Sequence, residues 1–247
     1  MRLALSTTVV ALIGAVTFTP VVASAGTTTF GQFSQLNAVR TFRYLNLDVV
    51  TKVGKKPHQT TVITPAAELI SINKKGLMAT PIINFQANVN GIGVSVGQTI
   101  KAYFSLDATS TQAVQDVGGS LSQLFDGFVS FTDVATGKLL LRSDFMGASL
   151  TAVDGSFSFN ANGNTSTGTV VYTSDVFKNL GVVNDFSLSG SGTDRKITYT
   201  AGHSFDYKSG FKGSVTGTFS SVVPEPAVLG MFGLGLLGLG LARRRAA

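Results

Sequence analysis

The chain is 247 residues long, with a formal net charge of +6, only 13% charged residues, 28 glycines and neither cysteine nor tryptophan. Without cysteine it has no disulfides, no thiolate metal sites and no cysteine nucleophile. Arg2, Arg243, Arg244, Arg245 and Glu225 lie in the terminal segments, so residues 26–223 keep 15 basic and 12 acidic residues, a net of +3; no dense basic stripe is left to bind nucleic acid.

The N-terminus has the layout of a secretory signal. Arg2 gives a positive start, Leu3 to Val22 carries no charge, and Ala23-Ser24-Ala25 offers small residues at the −3 and −1 positions. Only small side chains enter a signal peptidase at those positions, which predicts cleavage between Ala25 and Gly26 and export by the general secretory route.

The interior, 26–223, reads as many short strands. Two segments carry helix-like spacing: Pro65 to Ile70 ("PAAELI") and Thr111 to Phe125 ("TQAVQDVGGSLSQLF"). Elsewhere the period is two. In "GSFSFNANGN", Phe157 and Phe159 point one way and Ser156, Ser158 and Asn160 the other. Asn162-Gly163 suits a type I′ turn, with "TGTVVYTSD" as its return strand and Val170 and Tyr172 on the core face. "DFSLSGSG", "KITYT" and "SGFKGSVTGTFSSV" continue the alternation. Turn signals recur at Gly54, Asn73, Thr136-Gly137, Asp154-Gly155, Gly181 and Gly192-Thr193-Asp194. The expected fold is all-β: a single sandwich or jelly-roll-like domain with one or two short helices.

Motifs that could carry chemistry are sparse. "GVSVG" (Gly93 to Gly97) matches a nucleophile elbow around Ser95, but the following "QTIKAYFSLD" reads as a strand, where the elbow needs a helix. His58 and His203 are the only histidines. A triad can be drawn from Ser95, His203 and Asp206, and alternating Asn160, Asn162 and Asn164 offer oxygens to Ca²⁺, yet the latter spacing is also that of a hairpin's solvent face. No catalytic, metal or cofactor residue is assigned. Lys52, Lys55, Lys56, Lys74 and Lys75 fall in two expected turns and are candidate contacts for anionic glycan. Tyr44, Tyr103, Tyr172, Tyr199 and Tyr207 are the candidates for an aromatic sugar-binding row.

The C-terminus is "VPEPAVLGMFGLGLLGLGLARRRAA". Ala227 to Ala242 is 16 residues without charge, about 24 Å as a helix against a hydrocarbon core of about 30 Å. It is expected to form a short transmembrane helix, with Arg243, Arg244 and Arg245 on the cytoplasmic side. Pro224 and Pro226 hold an extended segment just outside it. "GLGLLG" within the tail imitates a dinucleotide fingerprint but has no βαβ context.

Val223-Pro224-Glu225-Pro226, the Leu/Gly-rich span and the three arginines together resemble the PEP-CTERM sorting signal. That signal is borne by exported proteins of Gram-negative bacteria that possess an exosortase. The resemblance covers only the tail. It implies transient anchoring in the inner membrane, recognition of the Pro-Glu-Pro segment and removal of the tail. The partners implied are signal peptidase, an exosortase-type enzyme, the inner membrane and exopolysaccharide. The organisation expected is therefore a signal peptide (1–25), a β-rich passenger (26–223) and a sorting signal (224–247). The expected role is structural or adhesive, at the cell surface, on the outer membrane or in the biofilm matrix, without catalysis. The competing expectation is a secreted hydrolase or carbohydrate-binding module acting on polysaccharide.

Overall fold

The structure is a computed structural model. It describes residues 26–223 apart from 37–39, 74–76, 118–119, 154–155, 164–167, 179, 182, 192 and 206–209. The expected signal helix and transmembrane helix both lie outside the described residues. Among those residues no helix is long and apolar enough to cross a membrane.

The described body is built from strands: β1 (Gly26–Gln35), β2 (Phe42–Asn46), β3 (Val49–Val53), β4 (Thr60–Thr64), β5 (Ala67–Ser71), β6 (Ile82–Ala87), β7 (Thr99–Ser110), β8 (Gln115–Val117), β9 (Ser120–Asp133), β10 (Leu139–Val153), β11 (Ser156–Asn162), β12 (Thr169–Thr173), β13 (Val183–Ser191) and β14 (Phe211–Val223). All pairings are antiparallel. The sandwich-like all-β architecture expected from the period-two runs is present, and the pairing adds a feature. The path β7-β9-β10-β11-β13-β14-β1-β6 returns to β7, so the large sheet closes on itself. Two long strands make closure possible by serving two partners each along one edge. β7 takes β6 and β5 in succession, and β14 takes β1 and β2. Closure gives the strands on this path partners on both sides, so they offer fewer of the open edges that invite aggregation.

Phenylalanine fills the interior. Phe33 of β1 meets Phe131 of β9 with ring centroids 4.9 Å apart, and Phe42 of β2 meets Phe157 of β11 at 4.5 Å. Neither pair sits on neighbouring strands, so these rings bridge the body from wall to wall. The alternation dictates this: β7 is inward at Ile100, Ala102, Phe104, Leu106 and Ala108, with exposed or half-exposed residues between them. The outward positions are largely Ser, Thr, Asn and Gln, the reverse of a lipid-facing barrel, whose apolar band points out.

Three expectations are corrected. Pro65 to Ile70 is no helix: from Ala67 it is β5, seated between β2 and β7. A six-residue helix would gain little by itself, whereas two flanking strands satisfy the backbone on both sides. Within Thr111 to Phe125 the described strands are β8 (Gln115–Val117) and the start of β9 (from Ser120), not helix. Val117 pairs with Ser120, so β8 and β9 form a hairpin across the Gly118-Gly119 pair, the connection length hairpins favour. Asn162-Gly163 makes no hairpin either. Gly163 does not take the positive φ that a type I′ turn demands. β11 and β12 both run antiparallel to β10, at Ser149–Val153 and Arg142–Met146, so the chain continues in one direction. The inward placement of Phe157, Phe159, Val170 and Tyr172 was read correctly. Their true partners were not, because alternation fixes a face and leaves the neighbour open.

One element stands apart. β3 and β4 form a separate two-stranded sheet. Every residue of β3 is exposed, and in β4 only Ile63 is partly covered.

Candidate functional site

Three places on the described body carry more than packing: a grooved wall, a buried polar network and the β3–β4 arm.

The groove lies on the outer face of β13, β14, β1, β6 and β7. Two adjoining depressions of about 480 and 500 Å³ share Ser34, Ser189 and Thr216. Registers place the lining in rungs across the strands. One rung runs Ser187, Thr218, Gln32, Gln86, Thr99, one residue per strand. A second holds Ser189 and Thr216 on one side and Ser34 and Asn84 on the other, and it ends on β7 at the exposed Lys101. Adjacent strands are about 4.8 Å apart, so hydrogen-bonding groups repeat at that interval along a rung. No lining residue is titratable. Some are already paired: Gln32 Nε2 donates to Gln86 Oε1 at 2.5 Å, and Ser189 Oγ and Thr216 Oγ1 are 3.4 Å apart. Among the described residues no partner satisfies the side chains of Ser34, Asn84, Thr99 or Thr218.

Glycines on the inner side shape this wall. A Cβ at Gly190 would stand 2.0 Å from the Phe157 ring, and one at Gly217 would be 2.6 Å from both Leu188 and Phe33. Their absence lets β13 and β14 approach the aromatic core closely, which draws the outer face inward beneath Thr216 and Thr218.

The buried network begins at Tyr44. Its hydroxyl donates to Gln123 Oε1 at 2.7 Å, and Gln123 Nε2 donates to the Gln112 carbonyl at 2.7 Å and to Ser204 Oγ at 3.1 Å. Asp48 Oδ2 lies 2.9 Å from His203 Nδ1 and accepts from the Ser204 amide at 3.0 Å, while Oδ1 accepts from the Ala66 amide at 3.0 Å. The Asp48 side chain is 2% exposed. Burial alone would raise its carboxyl; the hydrogen bonds from Ser204, Ala66 and His203 outweigh this and hold it below its ordinary value. The network ties the Asp48 corner and the 203–205 loop to β2 and β9. It is a structural lock: Gln123 and Ser204 are fully buried, and period-two alternation carries no signal for it. Elsewhere in the interior, the Tyr172 hydroxyl donates to the Asp185 carbonyl. Burial pushes that phenol well above its usual range, and the Asp185 charge adds to the effect.

The arm concentrates charge. Between Val49 and Thr64 there are three lysines and no acid, so this hairpin alone matches the whole +3 of residues 26–223. Lys52, Lys55 and Lys56 are exposed, and among the described residues none is ion-paired. Registers put Val49 with Thr64, Thr51 with Val62 and Val53 with Thr60 on one face. That face is uncharged and wholly β-branched.

Other sequence candidates scatter. Lys74 and Lys75 lie outside the described residues, as do Asp206, Tyr207 and Asn164. Ser95 sits on an exposed turn before β7, its amide bonded to Gln98 Oε1 at 3.0 Å, and a strand follows it, as the sequence implied. The His203 ring contacts Asp48, a partner 155 residues away. Asn160 is engaged with Ser158 and Ser187. Among the described residues the tyrosines form no row: Tyr44 and Tyr172 are core, Tyr199 is partly buried and Tyr103 is exposed. Among the described residues no cluster of three metal-ligating groups occurs. Of the processing residues, Ala23, Ser24, Ala25, Pro224, Glu225, Pro226, Arg243, Arg244 and Arg245 lie outside the described part. Gly26 and Val223 lie within it, and they are paired partners at the end of β1 and β14. The groove was missed because no single residue marks it. Its signal was spread through the chain as alternate positions that are polar yet uncharged.

Residues 222–245 match the family model of the PEP-CTERM protein-sorting motif. The chain is thus an exported protein with a membrane-associated C-terminal sorting signal, processed by an exosortase-type enzyme. No curated protein and no solved structure matches it.

Proposed function

We propose that the body released by this processing is a non-catalytic surface or matrix protein with a structural or adhesive role. Residues 26–223 form the passenger, 1–25 the signal peptide and 224–247 the sorting signal. Its destination is the cell surface, the outer membrane or the extracellular biofilm matrix, after a transient stay in the inner membrane as a transmembrane helix. The observation that carries the reading is the segregation of charge. The β3–β4 hairpin carries three lysines and no acid, while the lining of the groove is uncharged. A hydrolase concentrates acids, bases and nucleophiles in its cleft; this body concentrates cations on an arm. Lys52, Lys55 and Lys56 there meet acidic exopolysaccharide by charge attraction, which raises encounter rates and is screened by salt. Lys74 and Lys75, outside the described residues, are candidate contacts of the same chemistry.

The test is co-sedimentation of the secreted, processed protein with exopolysaccharide extracted from the producing cells. The wild type is expected in the pellet at low salt and released as salt rises. The Lys52→Ala/Lys55→Ala/Lys56→Ala variant is expected to pellet at least fivefold less. Recovery of the wild type only in the supernatant at every salt concentration would sink the adhesive role. Intact mass spectrometry of the same material is expected to give a product beginning at Gly26 and ending between Pro224 and Pro226. A retained arginine tail would contradict tail removal.

A further inference from the structure

We propose that the groove across β13, β14, β1, β6 and β7 is a second binding site, for an uncharged polyhydroxylated chain, that is, a neutral glycan. It rests on the reading of the body as a polysaccharide-associated protein and adds a site of different chemistry from the arm.

The chemistry of the lining excludes other classes of ligand in turn. A peptide strand could not add to this wall. β14 lies between β13 and β1, and β1 between β14 and β6, so the backbone groups that strand addition needs are already used. An apolar helix or side chain would find no anchor. The only aromatic in the lining is Phe33, which is 3% exposed and belongs to the core. A phosphate or nucleic-acid chain needs several cations; the lining holds none, and Lys101, opposite Asn84 on β7, stands at its edge as a lone point charge. What the lining offers is hydroxyls and carboxamides, both donors and acceptors, on adjacent strands. Sugar hydroxyls have the same dual character. Four of these side chains, Ser34, Asn84, Thr99 and Thr218, have no partner among the described residues. Their hydrogen-bonding capacity is turned outward.

Geometry favours a chain over a single sugar. The rung from Ser187 to Thr99 crosses five strands, with groups repeating at about 4.8 Å, close to the length of one sugar unit. Without a stacking tyrosine each sugar is held only by hydrogen bonds to neutral groups. Such bonds exchange against water with small net gain. Useful affinity then needs several units bound at once, which a groove on this scale permits.

The test uses the secreted, processed protein and two probes. One is cellohexaose. The other is the neutral fraction of exopolysaccharide from the producing cells, separated from acidic material by anion exchange. Binding is followed by calorimetry and by amide shifts. The wild type is expected to bind the neutral fraction with an affinity that changes less than twofold between low and high salt. Asn84→Ala/Thr218→Val should weaken it at least fivefold. Thr216→Lys, which places a long cation in the groove, should weaken it further. Both variants alter exposed or half-exposed positions; a circular-dichroism melt confirms that they fold. The triple lysine-to-alanine variant of the arm should bind the neutral fraction as the wild type does. Failure of both probes to bind the folded wild type overturns the site, and so does binding that the groove variants leave unchanged. If acidic exopolysaccharide still pellets the protein in that case, the adhesive role stands and only the groove inference falls.

Discussion

The β3–β4 arm and the grooved wall are built from similar residues and behave in opposite ways. Both alternate Val, Thr, Ser or Gln along antiparallel strands. In the wall, every second residue is anchored behind: Phe33, Phe85, Leu188, Val215 and Phe219 are buried. In the arm, Val49, Val50 and Val53 are all more than half exposed. Period-two patterning therefore specifies a face only when something packs on it. An isolated two-stranded hairpin is marginal in water. The wall draws its rigidity from the aromatic core; the arm has only its own ladder and its β-branched cross-strand pairs. Charge divides along the same line, with three lysines and no acid on the arm and an uncharged lining in the groove.

The sharpest way to break the comparison is to empty the core. Phe131 is fully buried and meets Phe33, Phe85, Phe104 and Phe219. Phe131→Ala is expected to destabilise the body by about 3–5 kcal/mol, read as a fall in the denaturant midpoint. An unchanged midpoint would mean that the wall does not depend on the aromatic interior. The next largest effect probes the inner surface of the groove. Gly190→Ala puts a methyl 2.0 Å from the Phe157 ring, and that ring is held between Phe42 and Phe211. The expected cost is about 1–3 kcal/mol by overpacking, with neutral-glycan binding impaired as the wall shifts outward. A stable variant with unchanged binding would show that glycine at 190 does not shape the groove.

How much of this was legible beforehand depends on what carried the signal. The strands around Phe157 and Phe159 could be read because burial imposes a strict alternation. The tail could be read because prolines, an apolar run and arginines each have a physical meaning at a membrane. Closure of the sheet was not legible. It depends on β7 and β14 being long enough to serve two partners, and pairing register is a long-range property. The two false helices failed for a related reason: "PAAELI" has good helix formers, but β2 and β7 supply the backbone partners that decide its state. His203 was read beside Asp206, which lies outside the described residues; its contact with Asp48, 155 residues away, had no signal in the sequence. The groove escaped because neutral polar residues have no distinctive spacing until five strands lie side by side.

The Asp48 corner joins the arm to the body, so it offers a gentler test. Asp48→Asn keeps the shape but removes the charge that His203 and two amides address, and is expected to cost about 1–3 kcal/mol at neutral pH. The sign of its pH dependence follows from linkage. The folded carboxyl titrates below its ordinary value of 3.8, so the unfolded chain takes up the proton first on acidification. The stabilisation is complete above about pH 5 and is lost as pH falls through 3.8 toward the folded value. Wild type and variant should therefore converge in stability in acid. A gap that stays constant down to about pH 3 would contradict the assignment.

The smallest expected effect defines the arm. Val53 is 53% exposed and faces solvent beside Thr60. Val53→Ala removes little buried surface and should change global stability by no more than about 0.5 kcal/mol, an order of magnitude below Phe131→Ala. The same experiment has a local readout. Hydrogen exchange should find the β3–β4 amides opening at free energies well under the global value, while β7, β9 and β14 open only with the whole body. Val53→Ala should speed exchange in the arm and leave β9 untouched. If the arm amides proved as protected as those of β9 in the isolated protein, the arm would be part of the rigid body, and its lysines would be fixed charges. If protection instead rises when acidic exopolysaccharide is added, the arm is a hairpin completed by its partner, and the marginal stability of two exposed strands becomes part of how it binds.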